Sequence, residues 1–131
     1  MIKLKDILNE SDLKGTVASF ESSLMSKYPQ IDKLGMYIQS NNVLFLSELY
    51  IKKEFRGEGY GSKIMRDIID FADKHNLAIT LVPEPESLKK SAVIRLVDFY
   101  KRFGFVINKG KHMDYELSIP FSMSMYRLPR K

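Results

Sequence analysis

Three glycines at alternate positions follow an arginine in the run Arg56-Gly57-Glu58-Gly59-Tyr60-Gly61-Ser62. Glycine has no Cβ, so the backbone N–H groups of such a turn can approach a ligand closely. A helical pattern begins directly after the turn, and a helix N-terminus adds unpaired N–H donors and the positive end of the helix dipole. The run therefore predicts a cradle for an anion, and a pyrophosphate fits this chemistry.

Two common phosphate-binding loops do not match this run. A Walker A loop ends in Gly-Lys-Ser/Thr, and a dinucleotide-binding fingerprint reads G-x-G-x-x-G, whereas the spacing here is G-x-G-x-G. Taken by itself, the run is equally compatible with a glycine-rich turn that binds no ligand. The elements on either side of it must decide between the two interpretations.

An apolar strand is predicted immediately before the turn, over Val43 to Ile51. Strict alternation puts Glu48 on the same face as Leu44, Leu46 and Tyr50. A carboxylate among apolar neighbours loses hydration and becomes a better proton acceptor. Glu48 is therefore a candidate general base, although an edge-facing or salt-bridged glutamate gives the same pattern.

The remaining elements follow from hydrophobic periodicity and turn residues. A helix after the glycine turn is predicted over residues 60 to 74, because Ile64, Ile68 and Ala72 recur every four residues. The other predicted elements are a helix with the stripe Leu13, Val17, Phe20 and Leu24, a hairpin of Leu34–Gln39 with Val43–Ile51, strands at Ala78–Val82 and Phe105–Ile107, a helix from Leu88 to Phe103 ended by Gly104, strand segments at 115–119 and 122–126 split by Pro120, and an edge strand at Ile2–Leu4. This order predicts an α/β or α+β fold with a mixed sheet covered by helices.

Composition limits the classes of protein and site. The chain has 131 residues, 44% hydrophobic residues, a net charge of +5 and no cysteine. We expect a single domain over residues 1–131, with no disulfide, no thiolate metal site and no cysteine nucleophile. No run approaches the roughly 20 apolar residues of a membrane span, so we expect a soluble, cytoplasmic protein. Nucleic acid is not an expected partner, because the sequence lacks a stripe of aromatic and basic residues.

Two motifs resemble those of the GNAT acyltransferase superfamily. The run from Arg56 to Gly61, with Leu49 and Ile51 before it, is similar to the superfamily's acyl-CoA loop, Arg/Gln-x-x-Gly-x-Gly/Ala. The segment from Phe99 to Phe105 is similar to its downstream signature FY-x-x-x-GF. The matching segments extend over residues 43–107 in the expected order. The resemblance implies a GNAT-like mixed, mostly antiparallel sheet flanked by helices and transfer of an acetyl group from acetyl-CoA to a primary amine.

The resemblance also implies a set of site residues. The backbone of Leu49, Tyr50 and Ile51 would bind the pantetheine arm, and Tyr100 would donate a proton to the departing thiolate. The pyrophosphate would be bound by Arg56, Gly57, Glu58, Gly59, Tyr60, Gly61 and Ser62. No metal is expected. For the base, Glu84 and Glu86 compete with Glu48, and Tyr100 is alternatively one more aromatic residue on a buried helix face.

Other features leave the acceptor and the activity open. Many family members carry an Asn early in the last helix, and Ser91-Ala92-Val93-Ile94 has none, so Ser91 is a candidate substitute. The Met125-Tyr126-Arg127 ending is also similar to that of small bacteriophage acetyltransferases that modify protein lysines. The acceptor is therefore a small molecule, a protein lysine or an N-terminus, and the protein a monomer or homodimer. The alternatives are a non-catalytic CoA-binding regulatory module and a small basic nucleic-acid-binding protein.

Overall fold

Five strands make one mixed sheet in the computed structural model, which describes residues 10–40, 42–85, 89–119 and 123–130. The strands are β1 (Ile31–Ser40), β2 (Val43–Ile51), β3 (Ala78–Leu81), β4 (Val106–Ile107) and β5 (Met125–Arg127). Their order across the sheet is β1-β2-β3-β5-β4. β2 and β3 are parallel, and the other three neighbouring pairs are antiparallel. The predicted mixed, mostly antiparallel sheet is confirmed.

Three α-helices contribute to one hydrophobic core. They are α1 (Glu10–Lys27), α2 (Tyr60–Lys74) and α3 (Lys90–Lys101). α2 has the predicted bounds, and it ends where Asn76 takes a positive φ of 56°, a conformation that asparagine tolerates. α1 lies against α2, with the rings of Phe20 and Phe71 stacked at 4.1 Å. Among the described residues, no helix is both long and apolar enough to cross a bilayer.

A β-bulge at Ser47 exchanges the two faces of β2. In the register with β1, Leu46 pairs with Met36 and Glu48 pairs with Gly35, which leaves Ser47 as an extra residue. The residues of β2 that pack on the main core are Leu44, Leu46, Leu49 and Ile51. The predicted strict alternation is therefore wrong beyond Ser47, because one inserted residue moves every later side chain to the opposite face. Glu48 does not share a face with Leu44 and Leu46.

Residues Tyr115–Leu117 form a 3-10 turn, where the sequence pattern predicts a strand. The Asp114 carboxylate accepts the Glu116 N–H at 3.1 Å, and the Asn108 side chain bonds both the N–H and the C=O of Asp114. Such local bonds satisfy backbone groups that a strand would offer to a neighbouring strand. The predicted edge strand Ile2–Leu4, the helix start at Leu88, the break at Pro120 and the strand residue Ser122 lie outside the described residues.

An ion pair with a buried arginine joins β5 to α2. Arg127, whose side chain is 5% exposed, donates to both carboxylate oxygens of Asp73 at 2.7 and 3.2 Å. Arg127 also donates to the Phe103 carbonyl at 3.0 Å, and the Arg130 N–H donates to Asp73 at 2.9 Å. Burial alone would raise the pKa of Asp73, but these hydrogen bonds and charges outweigh it, and the pKa is lowered.

Candidate functional site

A groove opens where β2 and β3 separate. Their parallel pairing runs from Val43 to Leu46 of β2 and stops there. β2 continues to Ile51, whereas the chain after β3 soon reaches Pro83, which has no N–H to extend a ladder. Among the described residues, no strand therefore pairs with the far end of β2 on its β3 side, and the β2 backbone borders the groove there.

The groove has a volume of about 490 Å³, within the range of ligand pockets in proteins. Both strands, the loop after β3 and one face of α3 line it. The lining residues are Leu46, Ser47, Glu48, Leu49, Tyr50, Ile51, Arg56, Leu81, Val82, Glu84, Pro85, Ala92, Arg95, Leu96 and Tyr100. The sequence-predicted residues Glu48 to Ile51, Arg56 and Tyr100 are thus brought together around one cavity.

The glycine turn connects the end of β2 to the start of α2. Gly57 and Gly59 have φ of 80° and 86°, a left-handed conformation that only glycine adopts without strain. Gly59 is the N-cap of α2 and provides no side-chain hydrogen bond, and the first turn contains no acidic residue. No carboxylate in the first turn therefore neutralises the positive end of the α2 dipole. This helix N-terminus suits an anionic group. Glu58, Tyr60, Gly61 and Ser62 complete this turn and the first turn of α2.

Arg56 braces the glycine turn against the end of β2. Its Nε donates to the Ile51 carbonyl at 2.8 Å, and its side chain is exposed and lines the groove. The turn therefore has a fixed position relative to the open edge of β2. A cation also stands at the end of the groove nearest the α2 N-terminus.

Tyr100 is placed by the way α3 ends. Gly104 has a φ of 91°, and the Phe105 N–H turns back to the Tyr100 carbonyl at 3.3 Å, the pattern of a Schellman motif. Phe105 then packs on the Tyr100 ring, with centroids 5.6 Å apart. Tyr100 is 7% exposed. Burial, with a smaller contribution from Tyr50, raises the pKa of the Tyr100 hydroxyl to about 12, so the phenol is protonated at neutral pH.

Glu48 lies at the rim of the groove and is exposed, so the apolar surroundings expected from strict alternation are absent. Its side chain leans over β1 at Gly35. A Cβ at Gly35 would lie 2.4 Å from the Ser47 Oγ and 3.3 Å from the Glu48 Cγ. Glycine at position 35 thus gives Ser47 and Glu48 the room they occupy.

Tyr50 connects the two walls of the groove. Its hydroxyl donates to the Glu84 carbonyl at 2.9 Å, which ties β2 to the loop after β3. Glu84 is exposed and lines the groove, so it remains beside Glu48 as a carboxylate at the rim. Glu86, the third candidate base, lies outside the described residues. Within the described part of the chain, no three His, Asp or Glu side chains form a group that could hold a metal ion.

The model of the acetyltransferase (GNAT) domain family matches residues 29–107, which include the open edge of β2, the glycine turn and Tyr100. This chain belongs to the GNAT acetyltransferase family. No curated protein matches its sequence.

Solved GNAT structures share the fold. A GNAT-family acetyltransferase from Staphylococcus aureus Mu50 superposes with a TM-score of 0.55 and 20% identity over 74% of this chain and 58% of that chain. Ard1 from Thermoplasma volcanium gives 0.52 and 20% over 75% and 62%, and Tetrahymena GCN5 gives 0.54 and 13% over 74% and 59%. The chain spans about three fifths of the length of these structures. At such identities the likeness establishes the fold alone.

The GNAT groove also contains residues that sequence analysis missed. Ala92, Arg95 and Leu96 line it from α3. Ala92 and Leu96 lie eight and four positions before Tyr100, the spacing of one helix face, so counting back from Tyr100 would have found them. Arg95 lies five positions before Tyr100 and does not follow this spacing. Ser91, the predicted substitute for the family's Asn, is exposed and is not among the lining residues. The prediction for Ser91 finds no support in the position of its side chain.

Proposed function

We propose that the protein is an acetyl-CoA-dependent N-acetyltransferase that moves an acetyl group directly to a primary amine of a small molecule, a protein lysine or a protein N-terminus. One observation carries the proposal. One groove is lined by the open edge of β2, by Arg56 and by a buried tyrosine, and the chain continues from Arg56 through the glycine turn to the N-terminus of α2, which has no side-chain cap. These are the partners that a pyrophosphate, a pantetheine arm and a departing sulfur need.

The donor substrate would lie along β2. Backbone N–H groups from Gly57 to Ser62 hold the pyrophosphate, with Arg56 adding charge and bracing the turn. The amides of the pantetheine arm pair with the backbone of Leu49, Tyr50 and Ile51 as an added strand would. One N–H of this edge then polarises the thioester carbonyl as negative charge develops on its oxygen.

The reaction needs few chemical groups once both substrates are held. The neutral amine attacks the acetyl carbon, a C–N bond forms, the C–S bond breaks, and the sulfur receives a proton in exchange for the one that the amine loses. Fixing the amine and the thioester in attack geometry supplies roughly 7 to 11 kcal/mol of the barrier reduction. Much of the catalysis in this proposal therefore comes from binding.

Tyr100 acts on the leaving sulfur. Its pKa of about 12 lies above the roughly 8.5 of an ordinary thiol, so complete proton transfer from the phenol to a thiolate is uphill. The hydroxyl therefore contributes mainly a hydrogen bond to the developing thiolate. The sulfur takes its final proton from solvent, which receives the proton that the amine loses.

Glu48 acts on the attacking amine. Its exposed carboxylate at the rim accepts the proton directly or through one water, and solvent access lets the proton leave. Glu84 is the competing base on the opposite wall. Single Glu48→Gln and Glu84→Gln variants separate the two, because removal of the base should lower kcat about a hundredfold and removal of the other carboxylate should leave kcat nearly unchanged.

Thiol release from acetyl-CoA tests the proposal. We expect amine-dependent release with members of a panel of small amines and lysine peptides, and an acetylated amine confirmed by mass spectrometry. Acetyl-CoA binding without release for any amine would instead favour the non-catalytic regulatory module. If acetyl-CoA neither binds nor releases thiol, both the enzyme and the regulatory module are rejected.

A further inference from the structure

The sheet face beside the groove carries two aromatic rings and a carboxylate. Tyr37 of β1 and Phe45 of β2 pair directly across the strands, and their rings meet edge to face with centroids 5.2 Å apart. Glu48 lies on the same face, where the bulge at Ser47 places it. We call Tyr37, Phe45 and Glu48 the acceptor strip.

The acceptor strip is open to a ligand. Tyr37 is 51% exposed, Glu48 is exposed and Phe45 is half-buried. No salt bridge joins Glu48 to another residue in the described part of the chain. The protein as a whole has a net charge of +5. The carboxylate of Glu48, which has no cationic partner in the described part of the chain, makes this face beside the aromatic rings locally negative.

The chemistry of the acceptor strip suits a cation. Aromatic faces attract ammonium groups through the ring quadrupole, and Glu48 adds a full negative charge. Lys33 lies on the same face but beyond Gly35, opposite Tyr50. A cationic group of a ligand that extends from Glu48 along β1 is therefore repelled at the Lys33 end and attracted at the Tyr37 end.

We propose that the acceptor is an aliphatic amine with a second positive charge, and that Tyr37 and Phe45 hold this second charge while the reacting amine lies at Glu48. The inference rests on the proposed acetyl transfer and names its substrate class. The reacting nitrogen forms the C–N bond, the C–S bond breaks, the sulfur takes up one proton for the proton lost by the amine, and the second ammonium stays charged.

The fold sets the separation of the two charges. Glu48 leans over Gly35, and Tyr37 is two residues farther along β1 on the same face. Two residues of strand span roughly 7 Å. Putrescine and cadaverine place their nitrogens at about this separation, whereas the nitrogens of ethylenediamine lie far closer together.

Thiol release from acetyl-CoA with a length series of amines tests the inference. We expect putrescine and cadaverine to exceed both butylamine and ethylenediamine in kcat/KM. Ethylenediamine is the sharper comparison, because it is less basic and offers more neutral amine at a given pH. Chemistry alone would favour it, whereas the acceptor strip favours the longer diamines.

Two variants of one residue link the preference to the acceptor strip. Tyr37→Leu keeps an apolar side chain and removes the ring, and we expect the putrescine to butylamine ratio to fall about three- to fivefold. Tyr37→Phe keeps the ring and should keep the ratio. Because Tyr37 is half exposed, both variants should fold, and calorimetric binding of acetyl-CoA should match that of the parent.

The experiment distinguishes a failure of the inference from a failure of the proposed acetyl transfer. Equal rates for butylamine and putrescine, or a ratio unchanged by Tyr37→Leu, would overturn the inference while leaving acetyl transfer intact. If no amine in the series supports thiol release, the proposed function is rejected, and the inference with it.

Discussion

The N–H of Phe105 bonds to the carbonyl of Tyr100, and the Phe105 ring packs on the Tyr100 ring. The same motif that ends α3 therefore fixes the tyrosine that lines the groove. Gly104 makes this possible, because its φ of 91° is strained for other residues and a Cβ there would lie 2.4 Å from an Arg130 nitrogen. The FY-x-x-x-GF signature thus has a physical reading: glycine turns the chain, phenylalanine supports the ring, and tyrosine faces the cavity.

Removing the Tyr100 hydroxyl should lower turnover without weakening donor binding. We expect Tyr100→Phe to reduce kcat by about a hundredfold, because the leaving sulfur loses its donor, and to change the acetyl-CoA Kd by less than about twofold, since the hydroxyl acts mainly in the transition state. Steady-state thiol release and calorimetry measure the two quantities. Tyr28→Phe is the control, because the Tyr28 hydroxyl bonds Asp67 away from the groove. Full turnover in Tyr100→Phe would assign Tyr100 to packing alone.

Alkaline pH should destabilise the protein through Tyr100. Its pKa is raised by burial from 10.0 to about 12, so between these values the unfolded chain releases a proton that the folded chain retains. Stability therefore falls as pH rises from 10 to 12, by roughly 3 kcal/mol in total for this group. Urea unfolding at several pH values should show a shallower decline for Tyr100→Phe than for the parent. Parallel declines would contradict the burial of this hydroxyl.

A comparison of two glycines with positive φ should distinguish an effect on folding from an effect on ligand binding. Gly59 and Gly110 both have positive φ, and an added Cβ at either would meet no atom within 4 Å. Gly59→Ala and Gly110→Ala should each cost about 1 to 2 kcal/mol of stability. Only Gly59→Ala should weaken acetyl-CoA binding, by tenfold or more, because in the proposed complex its methyl group would lie where the pyrophosphate approaches. Equal affinities in calorimetry would show that the turn does not hold the donor.

The Asp73–Arg127 pair should contribute far more than a surface pair. Asp73→Ala leaves a guanidinium that is 5% exposed without its partner, and we expect a loss of about 3 kcal/mol in urea unfolding. Lys27→Ala, which breaks a pair whose lysine is 62% exposed, should have a much smaller effect on stability. The lowered pKa of Asp73 means that its contribution is present above pH 4 and is lost as the pH falls below. Equal costs for the two variants would contradict the burial of Arg127.

Sequence patterns predicted the elements with strong periodicity or clear breakers. α2 has the expected bounds because its apolar residues recur at helical spacing and Asn76 suits the left-handed end. The hairpin of β1 and β2 is also confirmed. The segment from Tyr115 to Leu117 defeated the same reasoning, because the hydrogen bonds of Asp114 and Asn108 override a weak strand pattern.

The parts of the candidate site that belong to a sequence motif were predictable. The parts whose position depends on the pairing register of β1 and β2 were not. The motifs located Arg56 and Tyr100, which line one groove, and the glycine turn that continues from Arg56. The position of Glu48 depends on a bulge that only the pairing with β1 reveals, and alternation alone put it on the wrong face. Arg95 and the acceptor strip depend on which faces the fold leaves open, and no local sequence pattern carries that information.

Calorimetric titration of the intact protein with acetyl-CoA tests the central claim most directly, because every proposed role requires the donor in the groove. We predict saturable binding at one site per chain that free CoA competes for and that Gly59→Ala weakens while Gly110→Ala does not. The absence of any heat of binding to folded protein at millimolar acetyl-CoA would contradict it.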